Sequence, residues 1–103
     1  MKTVKSSGNV FADIGFDTAK AEELAVKSDL ITLIRKAIKS RSLTQKQVAE
    51  ICETDQPTLS KILSGKMESV TIDRLARWLS ALGWNIRVTA VKKTIQKPER
   101  ARA

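Results

Sequence analysis

Two short helical segments joined by only three residues limit the folds open to this chain more than any other feature of its sequence. The helices are predicted over Thr44–Cys52 and Gln56–Ser64, with Glu53–Asp55 between them. So tight a turn makes the two helices cross steeply rather than lie antiparallel. Close crossing requires a small residue at the contact, and Ala49 supplies it. The sequence therefore predicts a mainly helical fold built around this pair.

The start of the first helix of the pair is marked by two independent signals. Thr44 and Gln47 have the spacing of a capping box, in which each side chain bonds the backbone N–H of the other residue. Leu43 and Val48 occupy the two positions of a hydrophobic staple across the same cap. A helix is therefore predicted to begin at Thr44 and to bury Val48, Ala49 and Cys52.

Later helix boundaries carry comparable signals. Asp55 is a favourable N-cap, and Pro57 falls in the first turn, where a proline is tolerated. Gly65 suits the left-handed position that ends a helix. Thr71 caps a last helix, which Gly83 ends. The second helix of the pair is predicted to bury Leu59, Ile62 and Leu63.

Upstream of the pair, an apolar stripe of helical period extends to about Arg41, and Asp17 can cap a helix beginning at Thr18. Ser28 and Asp29 either interrupt that helix or lie on its exposed face. Residues 17–83 are thus predicted to form the helical domain, preceded by a polar tail and a short apolar segment over 1–16.

After Gly83 the apolar period changes from helical to two. Trp84, Ile86 and Val88 alternate with polar residues, which predicts a strand over 84–91. A single strand cannot satisfy its own backbone groups, so it is predicted to pair with the same strand of a second copy, through Trp84, Ile86 and Val88. Pairing with residues 10–16 of the same chain is the alternative. Residues 92–103 are predicted to be a basic disordered tail.

Composition excludes several classes of function. The chain of 103 residues has no histidine, one cysteine, no Gly-rich phosphate loop and no cluster of carboxylates, so we expect neither an enzyme nor a metal or cofactor site. We see no signal peptide or membrane-length apolar run and expect a cytoplasmic protein. The net charge of +8 favours a polyanionic partner only weakly, since six basic residues and one acidic residue lie between 84 and 103.

The run Leu43–Gly65, LTQKQVAEICETDQPTLSKILSG, resembles the XRE, or phage-repressor-like, helix-turn-helix family. The likeness lies in Leu-Thr-Gln at its start, Ala49, Gln56, Ser60 and Gly65. The layout from NVFADIGF to the strand after Gly83 is also similar to HigA-type antitoxins. The motif departs from the family at Glu53, where Gly is usual, and at Thr54, where an apolar residue is usual. A non-Gly residue in a left-handed turn position costs about 1 kcal/mol.

The resemblance implies a four- to five-helix repressor-like DNA-binding domain, with motif 44–65, whose C-terminal β-strand pairs across a dimer. The second helix of the motif would enter the major groove of double-stranded DNA. Its base contacts would come from Gln56, Pro57, Ser60 and Lys61. Its phosphate contacts would come from Thr44, Gln45, Thr58, Ser64 and Lys66.

Three functions are compatible with these residues. The first is a homodimeric repressor of a palindromic operator, acting as a stand-alone phage-type or chromosomal regulator. The second, which the HigA-type likeness favours, is an antitoxin that also neutralises a toxin ribonuclease and represses its own operon. Residues 1–27 would then bind the toxin, since they have no role in DNA binding that we can assign. The third is a scaffold that uses the fold without binding DNA, which would leave Gln45 and Gln56 without a role.

Overall fold

Helices make up most of the part of the chain that the computed structural model describes, which is residues 18–92. In that part α1 spans Thr18–Ser40, α2 spans Gln45–Ile51, α3 spans Gln56–Leu63 and α4 spans Ile72–Ala81. Helix α1 packs mainly against α4, and α2 packs against α3. The mainly helical fold predicted from the sequence is confirmed.

The predicted N-caps of α2, α3 and α4 form the expected hydrogen bonds. At α2, the Gln47 N–H donates to the Thr44 hydroxyl at 3.1 Å, and the Thr44 N–H donates to the Gln47 side chain at 2.8 Å. At α3, the Thr58 N–H donates to the Asp55 carboxylate at 2.7 Å. At α4, the Thr71 hydroxyl accepts from the N–H of Arg74 at 3.2 Å. These local bonds determine where each helix begins.

Every helix in the described part of the chain ends at a residue with left-handed backbone. These residues are Ser42, Glu53, Gly65 and Gly83, with φ values of 53°, 57°, 107° and 100°. Each ending has the hydrogen bonds of a Schellman motif. At the end of α2, for example, the Glu53 N–H donates to the Glu50 carbonyl at 3.2 Å, and the Thr54 N–H donates to the Ala49 carbonyl at 2.9 Å. The predicted ends at Gly65 and Gly83 have this geometry, whereas the left-handed backbone of Ser42 was not predicted.

The core lies between the four helices and takes in the apolar faces predicted for them. Cys52 belongs to it, and burial raises the pKa of its thiol to about 11, so the thiol stays protonated at neutral pH. Leu33, Ile38, Leu43 and Leu63 are partly buried against the core. Its buried members are Leu30, Ile31, Ile34, Ala37, Val48, Ala49, Cys52, Leu59, Ile62, Val70, Leu75, Trp78, Leu79 and Leu82.

Helix α1 runs without interruption through Ser28 and Asp29, so these two residues do not break the helix. Asp29 lies on its exposed face, as the second of the two predicted alternatives requires. Just before these two residues, Lys27 is only 2% exposed. Its ammonium lies 2.9 Å from the Glu23 carboxylate and donates to the Met67 carbonyl at 3.1 Å. A buried lysine requires such partners, since an unpaired buried charge is costly. This contact ties α1 to the connection between α3 and α4.

Residues 84–92 contain no β-strand in the structure, so the strand predicted over 84–91 remains a prediction. Trp84 packs partly buried against the core of its own chain, and its N–H donates to the Leu79 carbonyl at 3.2 Å. Farther along, Ile86, Val88 and Val91 are 39%, 89% and 85% exposed. Of the side chains assigned to a dimer interface, Ile86 and Val88 therefore lie open to solvent.

Several predictions fall outside the described residues. They are the N-terminal tail and apolar segment over 1–16, the Asp17 cap, and all of the basic tail 92–103 except Lys92. Within residues 18–92, no helix is long and apolar enough to cross a membrane.

Glu53→Gly is expected to raise the free energy of unfolding by about 1 kcal/mol, because glycine adopts the left-handed backbone at position 53 without the steric cost of a Cβ. Glu50→Gly is the matched control: it removes the same charge from an exposed position within α2, where glycine costs about 1 kcal/mol. Urea unfolding of the three proteins measures both changes. A Glu53→Gly protein less stable than the wild type would contradict the left-handed turn.

Candidate nucleic-acid interface

The exposed face of α3 is the centre of the candidate site. Leu59 and Ile62 turn inward and are 0% and 2% exposed, so the opposite side of the helix is left open to solvent. All four side chains predicted to contact bases lie on that open side, namely Gln56, Pro57, Ser60 and Lys61. Helical spacing brings them together, since residues three and four apart share one face. The face predicted for base contact is thus available to an external ligand.

Two glutamines begin the two helices of the motif. Gln45 is the first residue of α2 and Gln56 is the first residue of α3, and both are exposed. Neither amide makes a hydrogen bond within residues 18–92. Each therefore has two N–H donors and a carbonyl acceptor free for a partner. Gln47, by contrast, accepts from the N–H of Thr44 in the capping box.

Among the predicted phosphate contacts, one hydroxyl group already donates within the protein. The Ser64 hydroxyl donates to the Lys61 carbonyl at 2.8 Å. This hydroxyl must give up its internal bond before it can donate to a phosphate. Thr58 lies beside the Asp55 carboxylate, to which its backbone N–H donates. The hydroxyl of Thr44 accepts from Gln47, so its own proton remains free for a phosphate oxygen.

Asp55 places a negative charge at the entrance to α3. The Thr58 hydroxyl, followed by the Thr58 N–H and the positive charges of Arg74 and Lys61, lowers the pKa of the Asp55 carboxyl below its usual value. The carboxylate therefore stays ionised at neutral pH and caps the helix in its charged form. Lys61 and Lys66 are exposed on and just after the same helix and give the site its positive charge.

Three side chains that sequence reasoning did not assign to the site connect its parts. Arg41 at the end of α1 donates to the Leu82 carbonyl at 3.2 Å. The guanidinium of Arg74 donates to the Thr54 hydroxyl at 3.4 Å and lies 5.3 Å from the centre of the Trp78 ring. Lys27 holds the Met67 carbonyl, next to Lys66. None of the three was assigned to the site from the sequence, but Thr54, the partner of Arg74, stands out there as a polar residue where the motif usually has an apolar one.

Comparison with protein families identifies the fold. A family model described as a helix-turn-helix domain matches residues 10–91. The chain belongs to this helix-turn-helix family. A solved structure described as an XRE family transcriptional regulator superposes with a TM-score of 0.65, at 25% sequence identity, over 82% of this chain and 94% of that one. No curated protein sequence matches the chain.

These likenesses confirm the helix-turn-helix motif that was predicted from Leu43–Gly65, and they support the likeness to the XRE family. The HigA-type layout remains a prediction. The two departures at Glu53 and Thr54 are compatible with the fold, because Glu53 takes the left-handed backbone usual for glycine and Thr54 closes the Schellman motif through its backbone N–H. The motif therefore keeps its turn with a different pair of residues.

Proposed function

We propose that this chain is a sequence-specific DNA-binding transcriptional regulator that inserts α3 into the major groove. The observation that carries the proposal is the open face of α3, with Gln56 at its first position and no internal partner for the amide within residues 18–92. The family match and the likeness to an XRE family regulator support it. The absence of histidine from the sequence supports a binding function without catalysis.

Base reading follows from the chemistry of the exposed side chains. A glutamine amide can accept from N6 and donate to N7 of adenine at the same time, so Gln56 favours an A·T pair. Lys61 suits guanine, whose O6 and N7 are both acceptors. Ser60 pairs with either kind of base edge, and Pro57 offers an apolar contact to a thymine methyl group. The specificity of the regulator would therefore reside in α3.

Phosphate contacts would fix the register of the protein on the duplex without reading sequence. Gln45, Thr44 and Lys66 are the stronger candidates, because their donors are free within the described part of the chain. Ser64 is a weaker candidate because its hydroxyl proton is already used, and Thr58 is a weaker candidate because it lies beside the anionic Asp55 carboxylate. This division supports Gln45 as a contact to the DNA backbone.

Gln56→Ala is expected to weaken binding to the preferred duplex by about 1–3 kcal/mol and to relax the preference at one A·T pair. Lys66→Ala is the contrasting variant: it removes a phosphate contact, so it weakens binding to all duplexes and lowers the salt dependence by about one charge. The preferred duplex is selected from a random pool with the wild-type protein, and affinities are measured by fluorescence anisotropy. Equal losses of Gln56→Ala on selected and random DNA would contradict base reading.

We propose further that the regulator acts as a homodimer paired through residues 84–91 on a palindromic operator. The exposure of Ile86 and Val88 supports an interface there, as does their position just beyond Trp84, which is anchored to the core. Two recognition helices would then lie about 34 Å apart, one turn of B-DNA. Intrachain pairing with residues 10–16 is the alternative arrangement.

Truncation after Asn85 is expected to give a monomer that binds the selected duplex poorly, because it removes Ile86 and Val88 while keeping Trp84. Truncation after Val91 is the control and should leave a dimer, since it removes only the basic tail. Sedimentation velocity of both proteins beside the full chain measures the change. A dimer that survives truncation after Asn85 would rule out pairing through this segment.

An antitoxin role is the more specific form of the proposal, and a stand-alone phage-type or chromosomal regulator is its alternative. The HigA-type layout of the sequence supports the antitoxin role. The toxin, a ribonuclease, would bind residues 1–27, which lie outside the motif. The role predicts that the product of a neighbouring gene is a small basic ribonuclease that co-purifies with the full chain. Deletion of residues 1–16 should abolish co-purification and leave DNA affinity unchanged; a gene without such a neighbour would favour the stand-alone regulator.

A further inference from the structure

The joint between α2 and α3 consists of Thr54 and Asp55, and its geometry sets the direction in which α3 leaves the domain. The Thr54 N–H closes the end of α2, and Asp55 caps the start of α3. Gln56 follows directly as the first residue of α3. A change of backbone angle at this joint would therefore move Gln56 and the whole exposed face behind it.

Arg74 of α4 reaches this joint from a different part of the chain. Its guanidinium donates to the Thr54 hydroxyl at 3.4 Å, across 20 residues of sequence. Its positive charge also acts on the Asp55 carboxylate. A single side chain thus interacts with both residues that connect the two helices of the motif.

Arg74 is itself held in place at both ends, by its guanidinium and by its backbone N–H. The ring of Trp78, one turn along α4, lies 5.3 Å from the central carbon of the guanidinium, within the range of a cation–π contact. Trp78 is buried, at 3% exposure, so the ring is a fixed platform. The N–H of Arg74 is bound by the Thr71 cap, which fixes the start of the side chain. The arginine is therefore ordered from its backbone to its charged end.

The position of this arginine opposes the usual electrostatics of a helix. Arg74 is the third residue of α4, and its charge faces the positive end of the helix dipole, where acidic residues are favoured. Asp73, next to it, has the favourable charge. A residue that breaks a local preference while making specific tertiary contacts is typical of a functional constraint.

We propose that Arg74 is a positioning residue for DNA recognition, whose guanidinium, packed on Trp78, fixes the Thr54–Asp55 joint and thereby the orientation of Gln56. This inference rests on the proposed function for its consequence on DNA. The contact with the joint itself is independent of any ligand. Thr54, polar where the motif usually has an apolar residue, is the partner that this arrangement needs.

Two other roles for Arg74 make different predictions. A direct phosphate contact would depend on its charge and not on Thr54. A purely structural role would lower the stability of the domain as a whole without affecting DNA recognition by the folded protein. Arg77 supplies the matched control, because it lies on the same helix with its side chain 70% exposed and makes only a surface pair with Asp73 at 3.2 Å.

Hydrogen exchange of the full chain tests the contact without DNA. Arg74→Met is expected to speed exchange of the Thr54 and Thr58 amides by about tenfold relative to the amide of buried Ile34, because both amides form hydrogen bonds at the joint. Arg77→Met should leave the three amides unchanged. Uniform acceleration of all amides in Arg74→Met would overturn the proposal in favour of a purely structural role.

DNA binding tests the consequence, with a duplex selected from a random pool by the wild-type protein and an unrelated duplex of equal length. Arg74→Met is expected to weaken binding to the selected duplex about tenfold, and to weaken binding to the unrelated duplex no more than Arg77→Met does. Thr54→Val introduced into the wild-type protein should cause part of this loss of affinity. Introduced into Arg74→Met, it should cause no further loss, because the two residues act through one contact.

Two results would overturn the proposal on DNA. Equal losses on both duplexes, with a salt dependence lower by about one charge and no effect of Thr54→Val, would show a phosphate contact. Wild-type affinity and selectivity in a folded Arg74→Met protein would show that the joint does not need the arginine. If the wild-type chain selects no sequence, the proposed function fails, while the exchange experiment still decides whether Arg74 holds the joint.

Discussion

The hydrogen bonds that close each helix end are the constraint on which this small domain depends. Helices of seven and eight residues, such as α2 and α3, are too short to be stable in water by themselves. Their N-caps and their left-handed endings provide hydrogen-bond partners for terminal backbone groups that would otherwise bond only to water or be buried without partners. The chain can therefore change direction within three residues between α2 and α3 and still bury Val48, Ala49, Leu59 and Ile62 in one core.

The same accounting of hydrogen bonds separates structural from functional polar residues. Gln47, Asp55 and Ser64 lie close in sequence to Gln45, Gln56 and Ser60. The side chains of the first three make internal hydrogen bonds, whereas the side chains of the last three make none within residues 18–92. Residue type alone does not distinguish these groups, since each contains an amide or a hydroxyl. Position relative to the helix ends does, because only residues at a cap reach an unpaired backbone group.

How far the sequence predicts this structure depends on the range of each interaction. The Thr44, Asp55 and Thr71 caps and the stops at Gly65 and Gly83 were predicted correctly, because each involves residues that are neighbours along the chain. The exposed face of α3 followed from helical period. Contacts across the fold could not be predicted in this way: Lys27 meets Met67 across 40 residues, and Arg74 meets Thr54 across 20.

Ser42 shows a second kind of limit. It takes the left-handed backbone at the end of α1, a position where glycine or asparagine is usual, and nothing in its local sequence indicates this. The cost is offset by tertiary contacts, since Leu43 and Ile38, on either side of the turn, both pack against the core. The strand predicted over 84–91 is a third case, because a strand forms only with a partner, and one chain's sequence does not specify which partner that is.

Charge and recognition are divided between different parts of the chain. The open face of α3 carries one lysine, Lys61, and the three residues before the helix include the acidic Glu53 and Asp55, so this region contributes little net positive charge. Five basic residues and no acidic residue lie between positions 35 and 46, at the end of α1 and the start of α2. Phosphate attraction supplies affinity for any duplex, whereas base contacts supply discrimination. On the proposed function, this separation lets the exposed amide of Gln56 determine which duplex is preferred while other segments provide most of the attraction.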